Sequence, residues 1–483
     1  MKNNYQLMHK DVIVAVVSLD GDNGRMLDVK KVITPEHLPI GTAFNNDVIR
    51  KELKSWWDGR SIPASRDKLE LLLKKLNIKD TTVLLTKSLG LSLSDCYWIR
   101  PEGADIKWGN INYYENNFSA DIGNILFGKE SDQHNINEAS PDNTSDGWLQ
   151  KRWKISNGER ILVKAGSEPF EQEPFNEVIA SRLMSELGIE HVDYKLLEDE
   201  NKTFCYCHCY ASSNAEFVAA SRIYHMEKAR GYESPYQHYI NVCENLGISD
   251  AKEKTNKMLF LDYVIANSDR HYGNFGILRN PDTLKAIDIV PIFDSGSSLG
   301  YKKSAYAISN DKEDSSKPFR STHQEQIKLV KDLSWVNLPG LNKFESIVRD
   351  VFSGKENVFG SARIDAIIDS AQKRIDRLFG SEKIVAFSKT PMTKMSCEYY
   401  CRSDAVRQAV DSLVNSDDFN EKYPDLDDDA VLIDYDTETK KATVFVNVFC
   451  AGKDIGEKEI AQFKEFEEEL LKKIQEMEKG PIL

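Results

Sequence analysis

Ala266-Asn-Ser-Asp-Arg-His-Tyr-Gly-Asn-Phe-Gly276 is the most informative segment of this 483-residue chain. A long helix is predicted over Ala251–Ala266 because apolar residues recur there at helical spacing, and a short strand is predicted over Phe275–Leu278. The segment between them is therefore predicted to be a loop on a packed scaffold, which is where proteins often place catalytic side chains.

Two carboxylates and an amide in and after this segment have the spacing of a phosphoryl-transfer site. Asn274 follows Asp269 by five residues, as in a kinase catalytic loop, where the aspartate deprotonates the attacking hydroxyl and the asparagine coordinates Mg²⁺. A second strand predicted over Ala286–Phe293 leads to Asp294 in a small-residue turn, which suits a second metal carboxylate. The pattern predicts Asp269 as the base and Asn274 and Asp294 as metal ligands.

An upstream strand and helix contain the other two charged groups that kinase chemistry needs. Lys164 ends an apolar strand, and Glu177 lies within a helix predicted over Glu173–Leu187. In kinases a strand lysine holds the nucleotide phosphates and a helical glutamate fixes that lysine. No GxGxxG motif precedes Lys164, so the phosphate-covering turn is predicted at either Ser145–Trp148 or Asn157-Gly158.

Each of these features, taken alone, has a structural explanation. Asp269-Arg270-His271 can cap a helix and form a surface ion pair, and Lys164 can be a solvated strand end. Phe293-Asp294-Ser-Gly is a common turn sequence. Their order around a predicted hairpin is what favours a kinase site.

The order of these parts resembles the HipA-like kinase family, bacterial Ser/Thr kinases known as toxins of toxin–antitoxin modules. The resemblance covers roughly residues 145–380 and is strongest in the segment from Asn267 to Gly276 and in Phe293-Asp294. Leu7–Asp11, His37–Gly41 and Trp56-Trp57 also look like the leader of a subgroup.

The resemblance implies an α+β, two-lobed protein-kinase-like fold with an N-terminal accessory domain. It implies ATP and Mg²⁺ as cofactors, a protein substrate phosphorylated on a hydroxyl, and an antitoxin or other regulatory partner. The residues it implies are Asp269 and His271 for catalysis, and Lys164, Glu177, Gly147, Asn274 and Asp294 for binding the nucleotide, with Asn274 and Asp294 also holding the metal. His271 would brace the loop or the transferred phosphoryl group.

Some members of this family phosphorylate a serine in their own nucleotide-covering loop and thereby shut themselves off. Ser145, or Thr144 beside it, is the corresponding candidate in this chain. The loop before Lys164 departs from the glycine pattern of the best-known members, so the resemblance leaves the nucleotide contacts there open.

Composition and length predict a globular protein of several domains. The chain is 41% hydrophobic and 29% charged, which argues against fibrous or disordered proteins. The predicted domains are an N-terminal accessory domain (1–128), a linker (129–147), a kinase-like N-lobe (148–218), a kinase-like C-lobe (219–390) and an acidic C-terminal α/β module (396–483).

The net charge of −14 is unevenly distributed. Residues 396–483 contain 22 Asp and Glu against 11 Lys and Arg, a net charge of −11, and the remaining residues carry −3. The acidic total argues against nucleic-acid and anionic-lipid partners, although less strongly for the near-neutral body. No apolar run approaches the ~18 residues of a membrane span, so a cytoplasmic protein without a membrane partner is predicted.

The cysteines allow two interpretations. Cys205, Cys207 and Cys209 alternate along a predicted strand, so they form either a half-buried apolar face or three ligands of a metal that needs a fourth. Cys397 and Cys401, four residues apart, are predicted to share a helix.

Two other functions remain open from the sequence. The Asp-Arg-His-x-x-Asn string is also similar to the catalytic loop of phosphoinositide kinases, which would favour a basic surface facing the membrane. The predicted loop Leu299–Thr322 has mixed charge and does not form such a surface. A non-catalytic regulatory protein that kept the fold is the second alternative, against which the complete set of Lys164, Asp269, Asn274 and Asp294 argues.

Overall fold

The structure is a computed structural model with mixed α and β elements. It describes residues 2–44, 47–128, 136–199, 202–231, 233–310, 315–379, 392–400, 403–414, 422–423, 432–436, 441–449 and 457–478. The chain divides into two compact units, Met1–Ser381 and Glu382–Leu483. Each unit is described by itself below.

The first unit begins with an antiparallel sheet of strand order β3-β2-β1-β6. The strands of this region are β1 (Lys2–His9), β2 (Val12–Asp20), β3 (Met26–Val32), the short β4 (Ala43–Phe44) and β5 (Asp47–Val48), and β6 (Tyr97–Pro101). The helices are α1 (Arg50–Asp58), α2 (Leu69–Leu76), α3 (Thr82–Lys87) and α4 (Asp121–Leu126). Leu7, Val17 and Trp57 lie in the core between this sheet and α1.

The sequence predicts a strand over Val12–Leu19 and helices over Asn46–Trp57 and Ser65–Leu76 in this region. The strand is confirmed, and both helices are present but begin later than expected. Val48 is paired with β4, so the chain is still extended two residues before α1 begins at Arg50. Lys68 has a left-handed backbone (φ 58°), which delays the start of α2 to Leu69.

A second antiparallel sheet, in the order β7-β8-β10-β9, follows a 3-10 helix at Pro141–Thr144. Its strands are β7 (Lys151–Ser156), β8 (Glu159–Lys164), β9 (Tyr194–Asp199) and β10 (Lys202–His208), and α5 (Glu173–Leu187) packs against it. The turn between β7 and β8 is Asn157-Gly158, both with positive φ, as a two-residue hairpin requires. Helix α5 has the predicted bounds and ends at Gly188 (φ 65°).

The rest of the first unit is mostly helical and shares one hydrophobic core with α5. A sheet in the order β11-β12-β13 lies among these helices. The elements are β11 (Glu216–Ala219), α6 (Ala220–Tyr224), α7 (Pro235–Asn245), α8 (Ala251–Val264), β12 (Gly276–Arg279), β13 (Ala286–Ile289), α9 (Ala305–Ser309), α10 (His323–Ile327), α11 (Leu338–Leu341), α12 (Phe344–Val351), α13 (Glu356–Phe359) and α14 (Ser361–Phe379).

Two boundaries in this region differ from the sequence-based expectation. Strand β13 ends at Ile289 instead of Phe293, because Pro291 lacks the N–H that a continued ladder needs. The predicted loop Leu299–Thr322 contains the short helix α9, whose N-terminus is capped by the Ser304 hydroxyl.

The second unit combines a sheet in the order β14-β16-β15 with two helices that pack on each other. Its elements are β14 (Met392–Tyr400), α15 (Ser403–Val414), β15 (Leu432–Asp436), β16 (Lys441–Phe449) and α16 (Glu457–Glu478). The prediction of a helix through Cys397 is wrong, because Cys397 lies in β14 and pairs with Val444 of β16. Cys401 lies outside the described residues, and so does Asp425–Asp429, where the run of acidic residues predicts a turn.

Two absences can be stated for the described parts of the chain. No helix within them is long and apolar enough to cross a bilayer. They also contain no group of three or more His, Cys, Asp or Glu side chains arranged to hold a metal ion. Cys205 and Cys207 are buried on β10, and Cys209 follows the end of that strand.

Candidate active site

A buried lysine with two carboxylate partners forms the centre of the candidate site. Lys164 is the last residue of β8, and its Nζ donates to Glu177 Oε1 on α5 at 2.7 Å and to Asp294 Oδ1 at 2.7 Å. It also donates to the Tyr194 hydroxyl at 3.1 Å. The structure therefore brings together three residues that are far apart in sequence and that the sequence predicts to act together.

The charges in this centre stabilise one another. Burial alone would lower the pKa of Lys164, but Asp294 and Glu177 outweigh it and hold that pKa well above its usual value. Burial would raise the pKa of Asp294, but the ammonium groups of Lys164 and Lys151 hold it well below its usual range. Asp294 is therefore a carboxylate throughout the neutral pH range, and its side chain is still 28% exposed.

The turn that presents Asp294 is held by Glu177 and by close packing. Glu177 Oε2 accepts a hydrogen bond from the Ser295 backbone N–H at 2.8 Å. Asp294 itself has a left-handed backbone (φ 58°). A Cβ atom at Gly296 would lie 3.2 Å from Glu173 Cβ, so α5 leaves room there for little more than glycine.

The backbone around Asp269 is fixed by its neighbours in the loop. Asn267 Oδ1 accepts from the Asp269 N–H at 3.1 Å, and Asn274 Nδ2 donates to the Asp269 carbonyl at 3.0 Å. Because Nδ2 is used in this way, Oδ1 is the Asn274 atom suited to a metal ion. His271 Nδ1 accepts from the Gly273 N–H at 3.0 Å, so this ring braces the loop.

Arg270 links the loop to the helix before it and to the turn after the hairpin. It is fully buried and forms a bidentate ion pair with Asp262 of α8, with both N···O distances at 3.0 Å. It also donates to the carbonyls of Asn274 and Phe293 and to the Ser295 hydroxyl. Sequence reasoning missed this role, although a carboxylate on the buried face of α8 was a signal that a cation would pair with it.

Lys151 is a second lysine of the site that sequence reasoning missed. It lies on β7 directly opposite Lys164, a register that follows from counting back from the Asn157-Gly158 turn. Burial lowers the pKa of Lys151 to about 8, although the nearby Asp294 carboxylate acts to raise it. Gly147 has φ 86°, a conformation that favours glycine, and a Cβ atom there would lie 2.9 Å from Lys151 Nζ, so a larger residue would displace the end of this lysine side chain.

The two candidate hydroxyls for self-modification are engaged within the protein. Ser145 is buried, and its hydroxyl donates to the Asp142 carbonyl and accepts from Arg66 of the N-terminal region, each at 3.2 Å. The Thr144 hydroxyl donates to the carbonyls of Leu91 and Pro141 at 3.1 Å. Autophosphorylation at either residue stays a prediction.

Most of the predicted residues line one cavity of about 340 Å³, a volume typical of small-molecule sites. Glu177 and Asp269 are not among the lining residues, although Lys164, which contacts Glu177, and His271, two residues after Asp269, are. Trp56, Arg60 and Tyr97 of the N-terminal region also line this cavity. The lining from the kinase-like part includes Ser145, Gly147, Lys151, Lys164, Asn274 and Asp294.

Comparison with known proteins gives a family match for the part of the chain that contains this site. Residues 137–358 match the family model of the HipA-like C-terminal domain, which confirms the resemblance seen in the sequence. A search of curated proteins gave no match.

Two solved structures show limited similarity. The Helicobacter pylori proinflammatory kinase CtkA has 18% identity and a TM-score of 0.35, over 47% of this chain and 95% of that chain. A chain from the Shewanella oneidensis MR-1 toxin–antitoxin complex of HipA, HipB and operator DNA has 12% identity and a TM-score of 0.45, over 76% of this chain and 97% of that chain.

Proposed function

We propose that this protein is a HipA-like protein kinase that uses ATP and Mg²⁺ to phosphorylate a serine or threonine hydroxyl of a cytoplasmic protein. In the corresponding two-lobed fold, the sheet of β7 to β10 with α5 is the smaller lobe, and α6 to α14 form the larger one. The observation that carries the proposal is the buried contact of Lys164 with Glu177 and Asp294 at the edge of a cavity. A binding protein has no need for this set of charges beside a positioned Asp269.

The nucleotide phosphates would bind to the two lysines that line the cavity. Lys164 and Lys151 lie opposite each other on neighbouring strands, so both ammonium groups face the same volume. Gly147 lets the preceding backbone approach Lys151 closely. Together they present two positive charges to a triphosphate, which supports ATP as the phosphoryl donor.

The residues present fit a magnesium ion. Asn274 Oδ1 and the Asp294 carboxylate are hard oxygen donors, and both residues line the cavity. Protein sites for Mg²⁺ often use only one or two such ligands, and the substrate phosphates supply others. When bound, the ion would neutralise negative charge on the phosphates.

Asp269 would act as the base of the transfer step. Its carboxylate accepts the proton of the attacking hydroxyl while the hydroxyl oxygen bonds to the γ-phosphorus and the bond to the ADP oxygen breaks. The backbone that carries this carboxylate is held by the Asn267 side chain at Asp269 and by the buried Arg270–Asp262 pair at the next residue.

Transfer of ³²P from [γ-³²P]ATP to the protein and to a lysate of a bacterial host tests the proposal. Wild-type protein with Mg²⁺ should label protein bands, and Asp269→Asn and Asp294→Asn should not, with thermal unfolding as the check that each variant is folded. Equal labelling by wild type and Asp269→Asn, or no labelling by either, would contradict it. Labelling of lipid extracts instead of protein would favour the phosphoinositide-kinase alternative.

We also propose that the protein acts as a toxin with an antitoxin or other regulatory partner, which the HipA-like domain match supports. Growth arrest on expression of wild type, but not of Asp269→Asn, is the expected result. A co-purified protein that restores growth would identify the partner. Growth that is unaffected by wild-type expression would contradict the toxin assignment without touching the kinase proposal.

A further inference from the structure

The carboxylate of the candidate base has a cationic partner from another part of the chain. Lys317 Nζ lies 2.8 Å from Asp269 Oδ1, although the two residues are 48 positions apart. The Lys317 side chain is 49% exposed and that of Asp269 is 30% exposed. Pairs this exposed contribute little to stability, so the stability of the fold does not explain the contact.

Buried hydrogen bonds fix the segment that carries Lys317. Gln326 of α10 is 1% exposed, and its Nε2 donates to the Lys317 carbonyl at 2.5 Å and to the Ser316 hydroxyl at 2.8 Å. Its Oε1 accepts from the backbone N–H groups of Phe319 at 3.0 Å and Arg320 at 3.2 Å. One buried amide therefore holds the Lys317 carbonyl, the backbone N–H groups that follow it and the Ser316 side chain that precedes it.

Aromatic packing ties the same segment to the catalytic loop. Phe319 is buried, and its ring centroid lies 5.8 Å from that of Tyr272 and 6.0 Å from that of Phe275. Tyr272 and Phe275 follow Asp269 by three and six residues. The segments that carry Lys317 and Asp269 thus pack on one aromatic cluster, which places the ammonium within reach of the carboxylate.

We propose that Lys317 is a catalytic residue of the phosphoryl transfer; this inference rests on the proposed kinase function. Oδ1 of Asp269 is bonded to Lys317, so the other oxygen, Oδ2, is the one that accepts the hydroxyl proton. As the hydroxyl oxygen bonds to phosphorus and the bond to ADP breaks, the Lys317 ammonium donates a hydrogen bond to a non-bridging oxygen of the transferred group. A fixed cation there stabilises the charge spread over these oxygens.

Substitutions of Lys317 in the full-length protein test this role. Lys317→Met should lower kcat roughly 10- to 100-fold, because the variant loses one hydrogen bond to a charged group in the transition state. KM for ATP should change little. Lys317→Arg should restore part of the loss because it keeps the charge. Lys328→Met is the matched control, since Lys328 is exposed and lies in the same region of the chain, and it should behave as wild type.

A binding measurement gives a second readout that does not need turnover. Calorimetry with Mg²⁺ compares ADP alone with ADP plus aluminium fluoride, which mimics the transferred group. Lys317→Met should bind ADP as wild type does and lose roughly 10- to 100-fold of the extra affinity that aluminium fluoride confers.

The outcomes separate this inference from the proposed function. Wild type that neither labels protein nor binds ADP would refute the kinase proposal and the inference with it. Active wild type with an unchanged Lys317→Met variant would refute the inference alone. A faster Lys317→Met variant would also overturn it, because Lys317 would then be an inhibitory contact that blocks Asp269.

Discussion

Replacing Arg270 with lysine tests whether one buried guanidinium holds the parts of the candidate active site together. Arg270 donates to both oxygens of Asp262, to two backbone carbonyls and to the Ser295 hydroxyl, and it is fully buried. A lysine keeps the positive charge near Asp262. Its single ammonium cannot replace the three guanidinium nitrogens at once, so if it stays with Asp262 the carbonyls of Asn274 and Phe293, which Nη1 contacts, lose their donor.

The expected cost follows from the acceptors left without donors. Each buried acceptor that loses its hydrogen bond costs about 1–3 kcal/mol, so losing the two carbonyl contacts of Arg270 gives roughly 2–6 kcal/mol. With an m-value of about 3 kcal/mol/M, the urea midpoint should fall by about 1 M. The loop and the Asp294 turn would also lose their common anchor, so phosphoryl transfer should fall at least tenfold.

Urea unfolding followed by tryptophan fluorescence measures this effect. All seven tryptophans precede residue 382, so the signal reports on the unit Met1–Ser381. Arg182→Lys is the matched control, because Arg182 forms an exposed pair with Asp350 and should change the stability by less than about 0.5 kcal/mol. An Arg270→Lys midpoint equal to that of the control would refute the proposed anchoring role.

Three further predictions concern the region around the phosphate-covering turn. ATP affinity should weaken as the pH rises through about 8, because Lys151 loses its charge there; Lys151→Met should bind ATP roughly tenfold more weakly at pH 7 and lack this pH dependence, which calorimetry between pH 6.5 and 9 would show. Gly147→Ala should destabilise the fold by about 1 kcal/mol and raise KM for ATP, because it strains a positive φ and contacts Lys151; thermal unfolding and steady-state kinetics measure both, and an unchanged KM would contradict the proposed approach. Burial raises the pKa of Asp142 to about 7, so wild-type stability should fall by roughly 2–4 kcal/mol as the pH rises from about 4 through 7. Asp142→Asn keeps an oxygen that accepts from the Trp153 N–H and places an amide group beside the Ser140 hydroxyl, so it should remove this fall of stability with pH. If urea unfolding gave the variant the same pH dependence as wild type, Asp142 would not be the titrating group.

Much of the candidate site could be predicted because its chemistry has a fixed order along the chain. Lys164 ends a strand, Glu177 lies in the next helix and Asp294 follows a hairpin, and the structure brings these three within hydrogen-bonding distance. The local patterns around them are strong. Helix α5 ends at a glycine in the left-handed conformation, and Asn157-Gly158 forms the turn that sets the register of Lys151 opposite Lys164.

The failed helix prediction in the second unit shows the limit of such patterns. Two cysteines four residues apart fit one helical face, yet Cys397 lies in a strand. Pairing with β16 along the whole length of β14 outweighs the weak local preference of a short segment. Nothing within a few residues of Cys397 indicates that pairing.

The sequence by itself determined the secondary elements around the site, the residues that kinase chemistry would use and the family resemblance over residues 145–380. These depend on apolar periodicity, turn residues and spacing, which are properties of neighbouring residues. Only the tertiary structure decided which cation contacts which carboxylate: Arg270 with Asp262, and Lys317 with Asp269. A single charged residue leaves no periodic pattern in the sequence that would indicate its partner, because that partner is set by how distant segments pack.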